Sequence, residues 1–186
     1  VGIERAVRIE TRRLVLDAHR LEDFDDLCTR WADPAVVRHI GGRPSTRQES
    51  WARLLRYAGF WPLLGYGFWA MREKSTGRCI GEIGFHDMCR DIEPSIFGIP
   101  EAGWVLSPDA HGQGYAGEAL AAALAWLDGQ TRHAASVCLI SPDNTASIRL
   151  AERHGYGAKR VVRFMEQDTL LMRRQKGAGD GQVARG

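Results

Sequence analysis

No run of apolar residues in this 186-residue chain is long enough to span a bilayer, and no charged-then-apolar leader pattern of a secreted protein is present. A membrane partner is therefore not expected. Cysteine is scarce: Cys28, Cys79, Cys89 and Cys138 form no C-x-x-C pair, and a reduced, cytoplasmic setting fits best. His86 and Cys89 stand three apart, but a tetrahedral zinc site needs more ligands than the nearby sequence offers, so no metal is expected. Charge of one sign is missing as well. The 25 basic and 23 acidic residues are mixed along the chain, with no basic arm or stripe, which argues against nucleic acid as a partner. No internal repeat marks a solenoid or propeller.

What is present is ordinary globular composition, 44% hydrophobic and 26% charged, in a length that suits one domain with a core of its own. We expect a single domain over residues 1–175 and a flexible glycine-rich tail over residues 176–186. Ile9 to Leu16 reads as a partly exposed strand. Leu21, Phe24, Leu27, Cys28 and Trp31 recur at helical intervals until Asp33-Pro34 interrupts them. A second helix opens at Ser45-Thr46-Arg47-Gln48, which has capping-box spacing, continues through Trp51, Leu54, Leu55 and Ala58, and can end at Gly59.

Gly67 to Glu73 and Arg78 to His86 form an expected antiparallel hairpin about Lys74-Ser75-Thr76-Gly77. Glu101 to Leu106 is a strand ended by Ser107-Pro108. A glycine-rich turn follows, then an alanine-rich helix marked by Ala116, Ala119, Leu120, Ala123, Leu124 and Leu127, then a short buried strand from Ser136 to Ile140. Asn144 can cap one more helix, stopped near Gly155, and two strands near Ala158 to Met165 and Thr169 to Met172 complete the pattern. Mixed parallel and antiparallel strands with helices on both faces imply a three-layer α/β (α+β) domain around a mixed sheet of about seven strands.

The turn His111-Gly112-Gln113-Gly114-Tyr115-Ala116-Gly117-Glu118 joins a strand to a helix. Unpaired backbone N–H groups and the positive helix end at such a junction can receive phosphate oxygens, and glycine lets the anion approach. A tight connection with no ligand gives the same pattern. It is not a Walker loop, because Glu118 stands where the lysine would follow Gly112 and Gly117. Gly112, Gly114 and Gly117 do spell G-x-G-x-x-G, but behind an antiparallel hairpin and without the acidic residue that a dinucleotide fold needs on its next strand. A nucleotide oxidoreductase is thus a third-ranked reading.

These residues resemble the GNAT superfamily of acetyltransferases, and within it the RimJ/RimL-like branch, over nearly the whole chain. The resemblance is carried by Glu10-Thr11-Arg12-Arg13-Leu14, Gly103-Trp104-Val105-Leu106, the turn with Glu118-Ala119, Asn144-Thr145-Ala146-Ser147 and Gly155-Tyr156, in the family's order and spacing. His111 replaces the Gln or Arg that opens the superfamily pattern Q/R-x-x-G-x-G/A, while Gly114 and Ala116 fill its last two positions.

The resemblance implies acetyl-CoA as cosubstrate and a primary amine as acceptor, either a peptide N-terminus or a small molecule, and is compatible with a homodimer. It implies that His111, Gly112, Gln113, Gly114, Tyr115, Ala116 and Gly117 form the pyrophosphate turn. Trp104, Val105 and Leu106 would line the pantetheine, with the Val105 N–H a donor to the thioester oxygen, and Asn144 would cap its helix and contact the same arm. Glu101 occupies the place of a base that deprotonates the amine, with Glu82 the second candidate; a salt-bridged strand end is the plainer reading of Glu101. Ala151 stands where a tyrosine acid is common, so Ser147 becomes the proton donor, although a serine there can also bond back along its helix. Lys159 falls where the RimL-like branch can carry a glutamate. Trp51, Tyr57, Trp61 and Tyr66 surround the acceptor region; Trp51 is expected in the core, and Trp61 and Tyr66 against a ligand. A catalytically weak acyl-CoA-binding regulatory module is the alternative reading.

Overall fold

The structure is a computed structural model that describes residues 6–130 and 132–178. The described residues form a mixed sheet of eight strands where about seven were expected. The chain divides into two compact units, one of residues 1–86 with 103–122, the other of 87–102 with 123–186.

In the first unit the segment expected as one strand folds back on itself as β1 (Ile9–Glu10) and β2 (Leu14–Asp17), antiparallel with Ile9 opposite Leu16. Thr11 makes the turn. Its N–H donates to the Leu14 carbonyl (2.9 Å) and its hydroxyl accepts the Leu14 N–H (3.0 Å), so the backbone groups that would extend a strand are used locally. A short 3₁₀ turn then leads into α1 (Phe24–Ala32), which buries Leu27 and Trp31. It stops at Asp33, held extended as the residue before Pro34 must be, and the Asp33 carboxylate caps the short α2 (Pro34–Val37).

Helix α3 (Arg47–Leu64) is longer than its sequence pattern. The capping box pairs Thr46 with Glu49, one residue beyond the expected pair, and the helix passes through Gly59 and Pro62 to end at Gly65, whose φ of +73° only glycine adopts without strain. A glycine inside a helix costs about 1 kcal/mol. The last turns offset this by burying Phe60 and Trp61, whose indole N–H donates to the Phe68 carbonyl (3.1 Å). The hairpin forms as expected from β3 (Phe68–Glu73) and β4 (Cys79–His86), and every residue of β4 is buried.

That burial encloses a charge pair. The Arg30 Nε donates to Glu82 (2.9 Å), its Nη1 to the Cys79 carbonyl and the Ser107 hydroxyl, and the Trp31 indole N–H donates to the other Glu82 oxygen. Both side chains are at most 1% exposed, so neither charge is met by water. Next in the chain come β5 (Glu101–Leu106) and α4 (Tyr115–Gly129).

In the second unit β6 (Ala135–Ile140) pairs in parallel with β5 at Glu101 opposite Val137. After α5 (Thr145–Arg153), the hairpin of β7 (Ala158–Phe164) and β8 (Gln167–Gln175) lies antiparallel, β8 against β6. Arg174 grips both oxygens of Asp128 (2.8 and 2.7 Å). The start of the expected tail is tied down: the Lys176 N–H donates to Ala134, the Gly177 N–H to Asp128, and Ala178 packs where a Cβ on Gly155 would collide. The rest of that tail, 179–186, lies outside the described residues.

Arg30→Met should lower unfolding stability in urea by about 3–5 kcal/mol, because it leaves the Glu82 carboxylate buried without its partner. A loss under about 1 kcal/mol would mean that Glu82 does not depend on that pairing.

Candidate functional site

The glycine turn is built by its neighbours in the first unit. Ser107 leaves β5 with its N–H on the Ile80 carbonyl (2.9 Å), and a 3₁₀ turn over Pro108–Ala110 delivers the chain to His111. The His111 Nε2 lies 3.1 Å from the Leu106 carbonyl, which can only accept, so that nitrogen carries the hydrogen and the exposed ring is pinned to the strand end. Gly112 and Gly114 have φ of +73° and +78°, which aligns the backbone as a Cβ-bearing residue would resist.

Among the described residues no acceptor meets the backbone N–H groups of Gly112, Gln113, Gly114, Tyr115 and Ala116, while the Glu118 N–H turns inward, onto the Gly114 carbonyl (3.1 Å). Gly112, Gln113 and Gly114 are exposed. Consecutive donors without acceptors at the start of a 15-residue helix make an anion cradle. The residues present therefore fit a pyrophosphate.

Glu118, in the first turn of α4, anchors the cradle to the β1–β2 turn. One of its oxygens accepts from the Thr11 hydroxyl (2.6 Å) and the Arg13 N–H (2.7 Å), the other from the Arg13 Nε (2.7 Å). Burial disfavours its charge, but these donors override burial and hold the carboxyl down at about 2. Arg13 also donates from Nη1 to the Gln113 carbonyl (2.8 Å) and lies over the Tyr115 ring, whose hydroxyl donates to Glu73. Sequence reasoning missed this clamp. Its partners are more than a hundred residues apart, and nothing local marks Thr11 or Arg13 as belonging to the turn.

The β5 residues named as pantetheine-lining differ in exposure: Val105 and Leu106 are buried, Trp104 is half-buried. Gly81 of β4 lies so close to them that a Cβ there would stand 2.5 Å from the Val105 carbonyl oxygen. Trp61 and Tyr66, expected against a ligand, are 5% and 4% exposed, and Trp61 packs edge-on against Trp69. Trp51, expected in the core, is 40% exposed against Phe24. The second-choice base, Glu82, is the buried partner of Arg30.

In the second unit Glu101 is buried, and its oxygens accept a fork from Arg90 (2.6 and 2.9 Å), the salt-bridged strand end weighed from sequence. Asn144 caps α5 by accepting the Ser147 N–H (3.1 Å). Tyr156 is fully buried, its hydroxyl within 2.9 Å of the Ser136 hydroxyl, and burial pushes its phenol well above the usual range. Lys159 is paired with Glu152 on the surface. No helix among the described residues is long and apolar enough to cross a membrane, and no cluster among them could hold a metal ion.

With this geometry in view, the family model for the acetyltransferase (GNAT) domain matches residues 13–157. A solved structure from Bordetella pertussis, described as a GnaT-family acetyltransferase, is 31% identical, with a TM-score of 0.79 over 91% of this chain and 99% of the other. An acetyltransferase from Agrobacterium tumefaciens is 28% identical, with a TM-score of 0.78 over 91% and 95%. The uncharacterized N-acetyltransferase p20 of Bacillus licheniformis is 26% identical over 84% of this chain and 86% of its own length. The chain belongs to the GNAT acetyltransferase family. This membership supports acetyl transfer and displaces the dinucleotide reading of the three glycines.

The folded pKa of Glu118 lies below its unfolded value, so its contribution to stability is complete above about pH 4.5 and is lost as pH falls through about 2. Glu118→Gln should therefore lower the melting temperature at neutral pH and flatten its fall between those two values. Parallel melting curves for the two proteins down to pH 2 would show that the clamp does not depend on the ionised carboxylate.

Proposed function

We propose that the protein transfers an acetyl group from acetyl-CoA to a primary amine, a peptide N-terminus or a small-molecule amine, by direct attack in a ternary complex. The observation that carries this reading is the row of backbone N–H groups from Gly112 to Ala116 with no acceptor among the described residues, in a chain of the GNAT family. When bound, acetyl-CoA supplies an activated thioester. The turn from His111 to Gly117 receives its pyrophosphate through backbone donors, and Trp104, Val105 and Leu106 lie along its pantetheine, the Val105 N–H donating where oxyanion charge develops.

Glu101 takes the proton of the amine, through water. Arg90 holds both oxygens of its carboxylate in a fork, which keeps the side chain ionised and fixed at the start of β5. Ser147 holds the proton for the departing sulfur, and Asn144 fixes the first turn that carries it. Trp61 and Tyr66 shape the acceptor side from behind, as packed residues. The motif around Asn144 and Ser147 supports the RimJ/RimL-like branch, and the whole reading is that of a cytoplasmic enzyme, compatible with a homodimer. A weak acyl-CoA-binding regulatory module is favoured by Ala151 and Lys159 at positions common for proton-transfer residues and by the pairing of Glu101.

Release of free thiol from acetyl-CoA against a panel of peptides and amines tests the function; turnover with at least one acceptor is expected, and cofactor binding without any turnover would select the regulatory reading. With a working acceptor, Ser147→Ala should lower kcat by about tenfold or more while leaving acetyl-CoA affinity within about twofold, since a proton donor acts as charge develops on the leaving group. Unchanged kcat in the alanine variant would remove Ser147 as the acid.

A further inference from the structure

We propose that Arg13 is the cationic ligand of the cofactor's pyrophosphate at the glycine turn, standing in for the basic or amide side chain that His111 displaces from the start of the superfamily pattern. The proposal rests on the acetyl-CoA reading and names a binding residue for that site. Arg13 is fixed on three sides. Its Nε is on Glu118, its Nη1 on the Gln113 carbonyl inside the turn, and its guanidinium carbon is 4.3 Å from the centre of the Tyr115 ring. The remaining nitrogen, Nη2, has no hydrogen-bond acceptor among the described residues and lies 3.5 Å from the position that a Cβ on Gly114 would take. It therefore sits beside the N–H groups of the cradle, with its own hydrogens unused.

The alternatives in the same unit are weaker. The Nε2 of His111 is committed to the Leu106 carbonyl, and Arg78 pairs with Asp109 where both side chains are more than half exposed. Electrostatics requires a cation here for a second reason. Glu118 places a carboxylate within the first turn of the helix whose positive end must receive an anion, and that charge would oppose a pyrophosphate unless it were neutralised. Arg13 neutralises it, and an ordered guanidinium adds a charge-assisted bond to a phosphate oxygen at little entropic cost.

The test is isothermal titration of the full chain and of Arg13→Gln with CoA, dephospho-CoA and acetyl-pantetheine. The last lacks the pyrophosphate. Arg13→Gln should weaken CoA and dephospho-CoA alike by about tenfold or more and leave acetyl-pantetheine within about twofold. Equal weakening of all three ligands would reduce Arg13 to a support of the fold, and weakening of CoA but not dephospho-CoA would move it to the 3′-phosphate; either overturns the proposal, as does unchanged CoA affinity. If Arg13→Gln fails to fold by its melting curve, Arg13→Lys carries the comparison, with a smaller loss for CoA and dephospho-CoA expected and wild-type affinity for both overturning the proposal. Wild-type protein that binds none of the three ligands would instead overturn the acetyl-CoA reading itself.

Discussion

A backbone N–H that the fold leaves without an acceptor must find one in solvent or in a ligand, and among the described residues none accepts from the five in a row from Gly112 to Ala116. The surrounding structure keeps them so. Positive φ at Gly112 and Gly114 keeps the residues before Tyr115 out of the helix, Tyr115 and Ala116 open its first turn, and the clamp of Thr11, Arg13 and Glu118 ties that junction to the β1–β2 turn. Such pre-ordering places much of the conformational cost of anion binding in folding rather than in binding.

The positioning that permits this comes from elsewhere in the same unit. Arg30 reaches from α1 to β4, to the Cys79 carbonyl and to Ser107 at the exit of β5, so one buried guanidinium joins the helical layer to the strand that delivers the turn. A buried ion pair is no great source of net stability against an apolar replacement, but it is intolerant of misplacement. Its plainest effect is to fix register among α1, β4 and the end of β5.

Much of this was legible in the sequence because it is written in local chemistry. Glycine after strand and before helix, Asn144 three residues ahead of a helical N–H, and the polar turn between β3 and β4 each specify backbone geometry within a few residues. Where the chain departed from its local pattern, a tertiary contact had overruled it. Burial of Phe60 and Trp61 carried α3 past Gly59, and the Thr11 hydroxyl folded an apparent strand into a hairpin. The clamp on the turn and the Arg90 fork on Glu101 had no local signature, since an arginine's partner is set by the fold and not by spacing along the chain. Aromatic periodicity misplaced Trp51 for the same reason: it identifies which residues share a helix face, but not which face the rest of the unit covers.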